Sequence, residues 1–447
     1  MADDIRLNTD LASALEEAEG RYRAANPKSL ARHEAAAQAM PGGNTRPVLH
    51  YPPFPLAWAK GEGATLTDLD GHRYADFLGE YTAGLYGHSN PVVQEAIRTA
   101  LADGIVLGGP NRYEAGLAAE LCRRFPSLEL VRFCNSGTEA NLFALSTARA
   151  VTGRAKILAF QGAYHGGVFY YGLAGSPINA PFPVVLAPYN DAEGAVAAIA
   201  REAGDLAAVI VEPMQGSGGC IPADREFLAA LREACDRHGV VLIFDEVMTS
   251  RLSPGGRQAL LGITPDMTTL GKYLGGGLSF GAFGGRARFM ERYDPSRADA
   301  IAHAGTFNNN VLSMAAGLAG ITKVLTADAL TALNARGERL RQRLNDIAAG
   351  RGLPVQATGC GSLINLHFHR GPIRTVQDFA GDAERTANRS RLNRLFHLDM
   401  IAAGQYLALR GFMALSLPIT DADCDRLAVA VDEFLAVRGK LIEAAAG

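Results

Sequence analysis

The chain predicts an α/β fold, with a large lobe built on a mainly parallel sheet and a smaller α+β lobe beside it. Three observations lead there. Short, continuously apolar runs at 129–134, 156–160, 183–187, 207–212 and 240–245 alternate with Ala/Leu/Arg-rich stretches long enough for helices. Runs apolar on both faces are buried on both faces, which places them in a parallel sheet sandwiched by helices. Beyond about residue 326 the pattern changes to Arg/Leu helical periodicity with isolated strands, the signature of a separate lobe. A length of 447 residues also exceeds what one core holds. The expected organisation is an N-terminal segment (1–65) joining the small domain, a large domain (66–325) and a C-terminal small domain (326–447).

Composition narrows the partners. Apolar residues at 48% supply ample core, and a net charge of −3 with 20% charged residues offers no basic field for nucleic acid or an anionic membrane. Small metabolites are the expected partners. The six cysteines show no C-x-x-C spacing, which suggests a reducing compartment and calls for no metal. No stretch reaches the roughly 18 uninterrupted apolar residues of a membrane span. Met1-Ala2-Asp3-Asp4 lacks the basic and apolar regions of a secretion signal, so a cytoplasmic location is expected. Glycine is in excess, 50 of 447 residues, against a usual share of about 7%. Its clusters at 42–43, 108–109, 166–167, 216–219, 275–277 and 284–285 suggest turns close to a ligand.

In chain order, residues 9–40 predict two helices broken at Pro27. The loop Pro41-Gly42-Gly43-Asn44-Thr45-Arg46-Pro47 then carries Arg46, either a solvated arginine or a planar fork for a carboxylate. Residues 64–77 alternate around Asp70-Gly71, a hairpin signal. The Gly/aromatic loop from Glu80 through Tyr81 to His88 lines a pocket or simply packs.

In a parallel sheet, ligands sit beyond the carboxyl ends of the strands. Asn135-Ser136-Gly137-Thr138, Gly162-Ala163-Tyr164-His165-Gly166, Glu212-Pro213-Met214-Gln215-Gly216 and Asp245-Glu246 occupy those ends and should converge on one crevice. Ser136 with Glu139 forms a capping box, which needs no ligand. Gly137 also lets an anion approach the free N–H groups of that helix start, with hydroxyls on either side. No G-x-G-x-x-G and no G-x-x-x-x-G-K-[ST] occurs, which disfavours NAD or ATP. The alternative user of a single phosphate in such a sheet is pyridoxal 5′-phosphate (PLP).

The lysines agree with that. Of six, only Lys272 follows the buried strands in a glycine-rich, low-charge setting, where desolvation keeps some of it as a nucleophilic amine. Lys272 can bond the coenzyme aldehyde, and Asp245 at the end of Val241-Leu242-Ile243-Phe244 can keep the pyridine nitrogen protonated. Beyond it, 279–286 predicts a strand antiparallel to its neighbours, because no crossover helix fits before it. His303–Asn310 opens a long helix, with Thr306 as its cap or as a second phosphate donor. The last lobe carries a helix through 348, the strand Leu363–Phe368, helix within 370–405, a strand over 412–418 and a helix from Asp421. Arg410, before that strand, is a surface residue or a second carboxylate anchor.

Together, Asn135-Ser136-Gly137-Thr138-Glu139-Ala140, Tyr164-His165-Gly166, Val211-Glu212-Pro213, Phe244-Asp245-Glu246-Val247, Leu270-Gly271-Lys272 and Gly305-Thr306-Phe307 resemble the class III (subgroup II) aminotransferases, PLP enzymes of fold type I. The motifs run in the family's order from about 40 to 420. The resemblance implies that Lys272 bonds the coenzyme and shuttles a proton, that Asp245 pairs with the pyridinium, and that Val247 and Tyr164 face the two sides of the ring. Ser136, Gly137 and Thr138 would hold the phosphate, and Glu212 would orient the surroundings of the ring hydroxyl or a loop. Thr306 would reach the phosphate of a neighbouring subunit, implying a homodimer with shared sites.

Within the class, Met40-Pro41-Gly42-Gly43-Asn44 and Thr306-Phe307-Asn308-Asn309-Asn310 resemble glutamate-1-semialdehyde aminomutases. Asn44-Thr45-Arg46-Pro47-Val48 and Met248-Thr249-Ser250-Arg251-Leu252 depart from them on the substrate side. Asn44-Thr45-Arg46, Tyr81-Thr82-Ala83-Gly84 and Arg410-Gly411-Phe412 are more similar to bacterial β-amino acid (β-phenylalanine) aminotransferases. That resemblance implies Arg46, Tyr81 and Arg410 on the substrate side, with the arginines anchoring a β-amino acid in one half-reaction and 2-oxoglutarate or pyruvate in the other.

Overall fold

A computed structural model describes residues 10–379 and 381–446; the Met1–Asp4 stretch lies outside the described residues. Helices Leu11–Ala25 and Pro27–Ala37 flank Asn26, so the break falls where proline occupies the first helical position and gives up no hydrogen bond. The first of them is capped by Asp10, which accepts from the Ser13 N–H at 2.9 Å.

The large sheet has seven strands in the order Leu130–Cys134, Gly281–Gly285, Met267–Gly271, Val241–Asp245, Leu206–Val211, Lys156–Phe160 and Val184–Ala187. Gly281–Gly285 runs antiparallel to both its neighbours, as the missing crossover required. Five of the others pair in parallel as expected, while Leu130–Cys134 lies at the edge and pairs only with Gly281–Gly285. Alternate residues serve opposite faces. Leu158, Val209, Leu242 and Phe244 pack on one side with helix Arg225–His238. Ile157, Ala208, Val241 and Ile243 pack on the other with helix Gly137–Thr152.

One strand of this sheet, Met267–Gly271, was absent from the apolar runs because Thr268 and Thr269 interrupt it. It is nonetheless fully buried. Its hydroxyls are satisfied inside: Thr268 Oγ1 lies 2.7 Å from Ser127 Oγ, and Thr269 donates to Asn141 Oδ1 at 2.6 Å.

Of three smaller sheets, Met214–Gln215 with Ile221–Pro222 is a two-stranded one within the large lobe's span, and the other two belong to the remainder. Val355–Cys360, Leu363–Phe368 and Phe412–Ala414 form an antiparallel sheet. The first of these was unforeseen because Gly359 and Gly361 read as a turn. The strand expected over 412–418 ends at Ala414, beyond which the Leu415 and Leu417 N–H groups bond to Ser362 and Leu85 carbonyls outside any ladder. The hairpin Thr65–Asp68 and Arg73–Asp76 forms around Asp70-Gly71 as predicted, and Gln405–Tyr406 pairs parallel to its second strand. Helices Ala327–Gly350, Ala383–Ala402 and Asp421–Ala446 complete this part.

The long helix expected after His303 is shorter and starts later. Val311–Ala319 is capped by Asn310, whose Oδ1 accepts from the Leu312 and Ser313 N–H groups at 3.1 Å, so Thr306 is not its cap. Among the described residues no single helix is long and apolar enough to cross a membrane.

Candidate active site

The crevice beyond the strand ends is built around Asp245. It is 5% exposed at the last position of its strand. Its Oδ2 accepts from Asn141 Nδ2 at 2.8 Å and stands 2.8 Å from His165 Nδ1, while Oδ1 accepts from the Val247 N–H at 3.0 Å. Asn141 Nδ2 also donates to the His165 carbonyl at 2.9 Å. A helix, a turn and the neighbouring strand, through Thr269, therefore brace one carboxylate. Sequence reasoning missed Asn141 and Thr269 and gave His165 no role. Polar residues inside a helix and a strand carry no signal until folding brings them together.

Lys272 follows its strand directly and adopts φ +57° between Gly271 and the Gly275–Gly277 turn. A lysine in the left-handed region is strained, and such strain persists only where the surroundings impose it. Among the described residues its amine has no hydrogen-bond or ion-pair partner. Burial pushes its pKa down to about 8; Asp245 and Glu80 oppose that shift, and Arg46 and Arg410 add to it. The strand-end carboxylate and both arginines thus lie within electrostatic reach of one partly neutral amine.

The helix Gly137–Thr152 points its start at the same place. Ser136 Oγ accepts from the Glu139 N–H at 3.1 Å, whereas the Glu139 carboxylate reaches the Asn135 N–H at 2.8 Å, one residue earlier than a standard box. The first-turn N–H groups of a helix lack internal acceptors. A Cβ on Gly137 would come within 3.0 Å of Val247 Cγ1, so glycine is what allows the partly buried Val247 to sit against this helix start. Thr138 Oγ1 accepts from the Gly167 N–H at 3.1 Å.

Glu212 is buried and accepts from the Tyr164 and Gly216 N–H groups, both at 3.1 Å. Burial pushes its carboxyl up to about 7, against the charge of His165. It thereby fixes the backbone of Tyr164, a residue 47% exposed whose ring meets Tyr170 edge-on at 5.9 Å. Thr306 is exposed in this single chain; its loop is tied to the helix start through Asn135 Nδ2 and Asn308 Oδ1 at 3.1 Å.

The outer wall comes from both ends of the chain. Arg46 pairs with Glu80. Arg410 lies 5.5 Å over the Tyr81 ring and 5.1 Å over that of Phe412, and Tyr81 and Phe412 are themselves stacked. The buried Nε of Arg410 has no acceptor, and among the described residues no carboxylate pairs with it. Lys272 thus stands within electrostatic range of Asp245, Arg46 and Arg410, and Tyr81 stands within range of both arginines. Glu80 was read only as the start of its loop.

The family described as Aminotransferase class-III matches residues 49–384. The chain belongs to the class-III aminotransferases. It is 52% identical over 429 residues to the beta-phenylalanine transaminase of Variovorax paradoxus, covering 96% of this chain and 97% of that protein. It is 38% identical to a glutamate-1-semialdehyde 2,1-aminomutase of Sorangium cellulosum, with 92% and 96% covered. The solved structure of a beta-phenylalanine aminotransferase from Variovorax paradoxus matches at a TM-score of 0.93, covering 96% of this chain and 98% of that one. An omega-transaminase from Sphaerobacter thermophilus matches at 0.85 with 36% identity, covering 92% and 98%.

Class-III aminotransferases are PLP-dependent and share fold type I with this chain; a matching transaminase at 33% identity was solved with PLP bound. The residues present fit that coenzyme. A partnerless lysine amine, a braced carboxylate and a helix start narrowed by Gly137 are the donor and acceptor set that an aldehyde, a pyridinium and a phosphate require.

Proposed function

We propose that this class-III aminotransferase is a β-amino acid transaminase, moving the amino group of a donor such as 3-amino-3-phenylpropanoate to 2-oxoglutarate or pyruvate. The observation that carries the reading is the pair of arginines: Arg46 pairs with Glu80, Arg410 lies 5.5 Å over the ring of the next residue, Tyr81, and the buried Nε of Arg410 has no acceptor. The 52% identity to a beta-phenylalanine transaminase supports the donor class.

In this reading Ser136, Gly137 and Thr138 hold the coenzyme phosphate, Asp245 its ring nitrogen, and Val247 and Tyr164 its faces. Glu212 keeps Tyr164 and the Gly216 loop in place. Bound PLP supplies an electron-withdrawing ring and an aldehyde that carries the amino group. Lys272, with its pKa near 8, would take the proton from the amine-bearing carbon of the donor and deliver it to the coenzyme carbon that keeps the amino group. Arg46 and Arg410 take carboxylates by charge-assisted, bidentate hydrogen bonds, with Tyr81 beneath Arg410. A β-amino acid carries its carboxylate one carbon further from the reacting centre than an α-amino acid, so its arginine must stand correspondingly further out.

The reading includes a homodimer with Thr306 reaching the partner's phosphate site, working in the cytoplasm. The exposed apolar residues Leu101, Ile105, Val106 and Leu107 support a covering partner. Phe307 belongs to the same region, because Asn309 Nδ2 donates to the Gly109 carbonyl at 3.1 Å.

The test is a donor screen with the holoenzyme, with pyruvate or 2-oxoglutarate as acceptor. Alanine or glutamate formed from 3-amino-3-phenylpropanoate upholds the proposal. Turnover of glutamate-1-semialdehyde without any keto acid, and none of the β-amino acid, would instead make it an aminomutase-like isomerase.

A further inference from the structure

The loop Gly79–Thr82 holds four successive residues at positive φ, +54°, +45°, +51° and +81°, and three of them are not glycine. Such a run is unfavourable, and the surroundings enforce it. Asp76 Oδ1 accepts from the Leu78 and Gly79 N–H groups at 2.9 and 3.1 Å, and the Gly84 N–H returns to the Gly79 carbonyl at 2.9 Å. A Cβ at Gly79 would lie 2.6 Å from the Ala414 carbonyl oxygen, so the loop is pressed against the strand beyond Arg410. Tyr81 closes the frame by donating its hydroxyl to the Val48 carbonyl at 3.1 Å, in the loop that carries Arg46.

The run aims two consecutive side chains at two arginines. Glu80 pairs with Arg46, and the Tyr81 ring lies under Arg410. One anchor therefore carries an internal counter-charge and the other does not. We propose that Glu80 is an internal carboxylate that closes the Arg46 anchor between substrates, so that a dicarboxylate must displace it while Arg410 stays open. The Arg46 and Glu80 side chains are 46% and 51% exposed. An exposed pair of this kind is weak, which lets a substrate carboxylate exchange with it. Glu80 and Arg46 also act on Lys272 in opposite senses, so the closed pair screens the lysine from an unmatched guanidinium.

This rests on Arg46 being a carboxylate anchor, as proposed above. The test is calorimetric binding of glutarate, an unreactive dicarboxylate, to the holoenzyme, to Glu80→Gln, to Arg46→Gln and to the double variant. A weak, exposed latch closed about three-quarters of the time lowers apparent affinity about fourfold, so Glu80→Gln should bind glutarate about fourfold more tightly. In the Arg46→Gln background the same change should do nothing. Equal tightening in both backgrounds would be a general field effect and overturn the latch, as would no tightening at all. Arg46→Gln that binds glutarate like the wild type refutes the anchor and the latch with it; Arg46→Gln that binds weakly while Glu80→Gln is unchanged refutes the latch alone. If Glu80→Gln does not fold, Glu80→Gly, which relaxes the backbone, gives the same comparison.

Discussion

Asp245 is held by Asn141, His165 and the Val247 N–H, deep at the end of a buried strand. Arg46 and Arg410 have, between them, one exposed carboxylate and two aromatic faces. Asp245 ends a buried strand and is braced from a helix, the neighbouring strand and two tight turns at the strand ends, while the arginines sit on loops near opposite ends of the chain. The difference separates two tasks. A coenzyme that stays bound needs a fixed, desolvated frame, whereas a rim that receives two kinds of substrate in turn needs partners that can be exchanged.

The largest expected effect breaks the inner frame. Lys272→Ala should lower turnover by about four orders of magnitude or more, measured with 3-amino-3-phenylpropanoate and 2-oxoglutarate. Retention of the coenzyme's lysine-bonded absorbance in that variant would remove Lys272 from its role. A middle effect tests whether bracing matters. Asn141→Leu strips Asp245 of one donor and leaves Thr269 Oγ1 without its acceptor. A buried polar group left unpaired costs about 1–3 kcal/mol, so coenzyme affinity or unfolding free energy should fall by that order. Denaturant titration with and without coenzyme separates the two.

The smallest effect is a pH dependence. The Glu212 carboxyl is raised from 4.5 to about 7 by burial. A carboxyl raised in the fold contributes stability that is present below its unfolded pKa and lost as pH rises through the folded one. Glu212→Gln should therefore gain thermal stability relative to the wild type between pH 5 and pH 8. A flat difference across that range would place the charge elsewhere.

The same division governs what the sequence made legible. The inner strands among the five apolar runs were readable because strands buried on both faces are apolar throughout, whereas the edge strands Leu130–Cys134 and Val184–Ala187 leave Leu130 and Leu186 exposed; Asp245 and Lys272 stand at strand ends, where ligands bind. Met267–Gly271 was not, because two threonines hid a strand whose hydroxyls are satisfied only in three dimensions. The helix after His303 begins at Asn310 rather than Thr306, since asparagine there offers its Oδ1 to two N–H groups and local sequence does not rank such caps. Glu80 is not legible in the sequence, because a charged loop residue resembles a solvated one. Its left-handed backbone and its arginine are set by contacts with residues far along the chain.

The separation of frame and rim is tested most directly by Arg410→Ala, with coenzyme affinity and KM for 3-amino-3-phenylpropanoate measured on one preparation. KM is predicted to rise about ten- to a hundredfold, the worth of a charge-assisted hydrogen bond, with coenzyme affinity unchanged within about twofold. Loss of coenzyme in parallel with the rise in KM, or an unchanged KM, would contradict it.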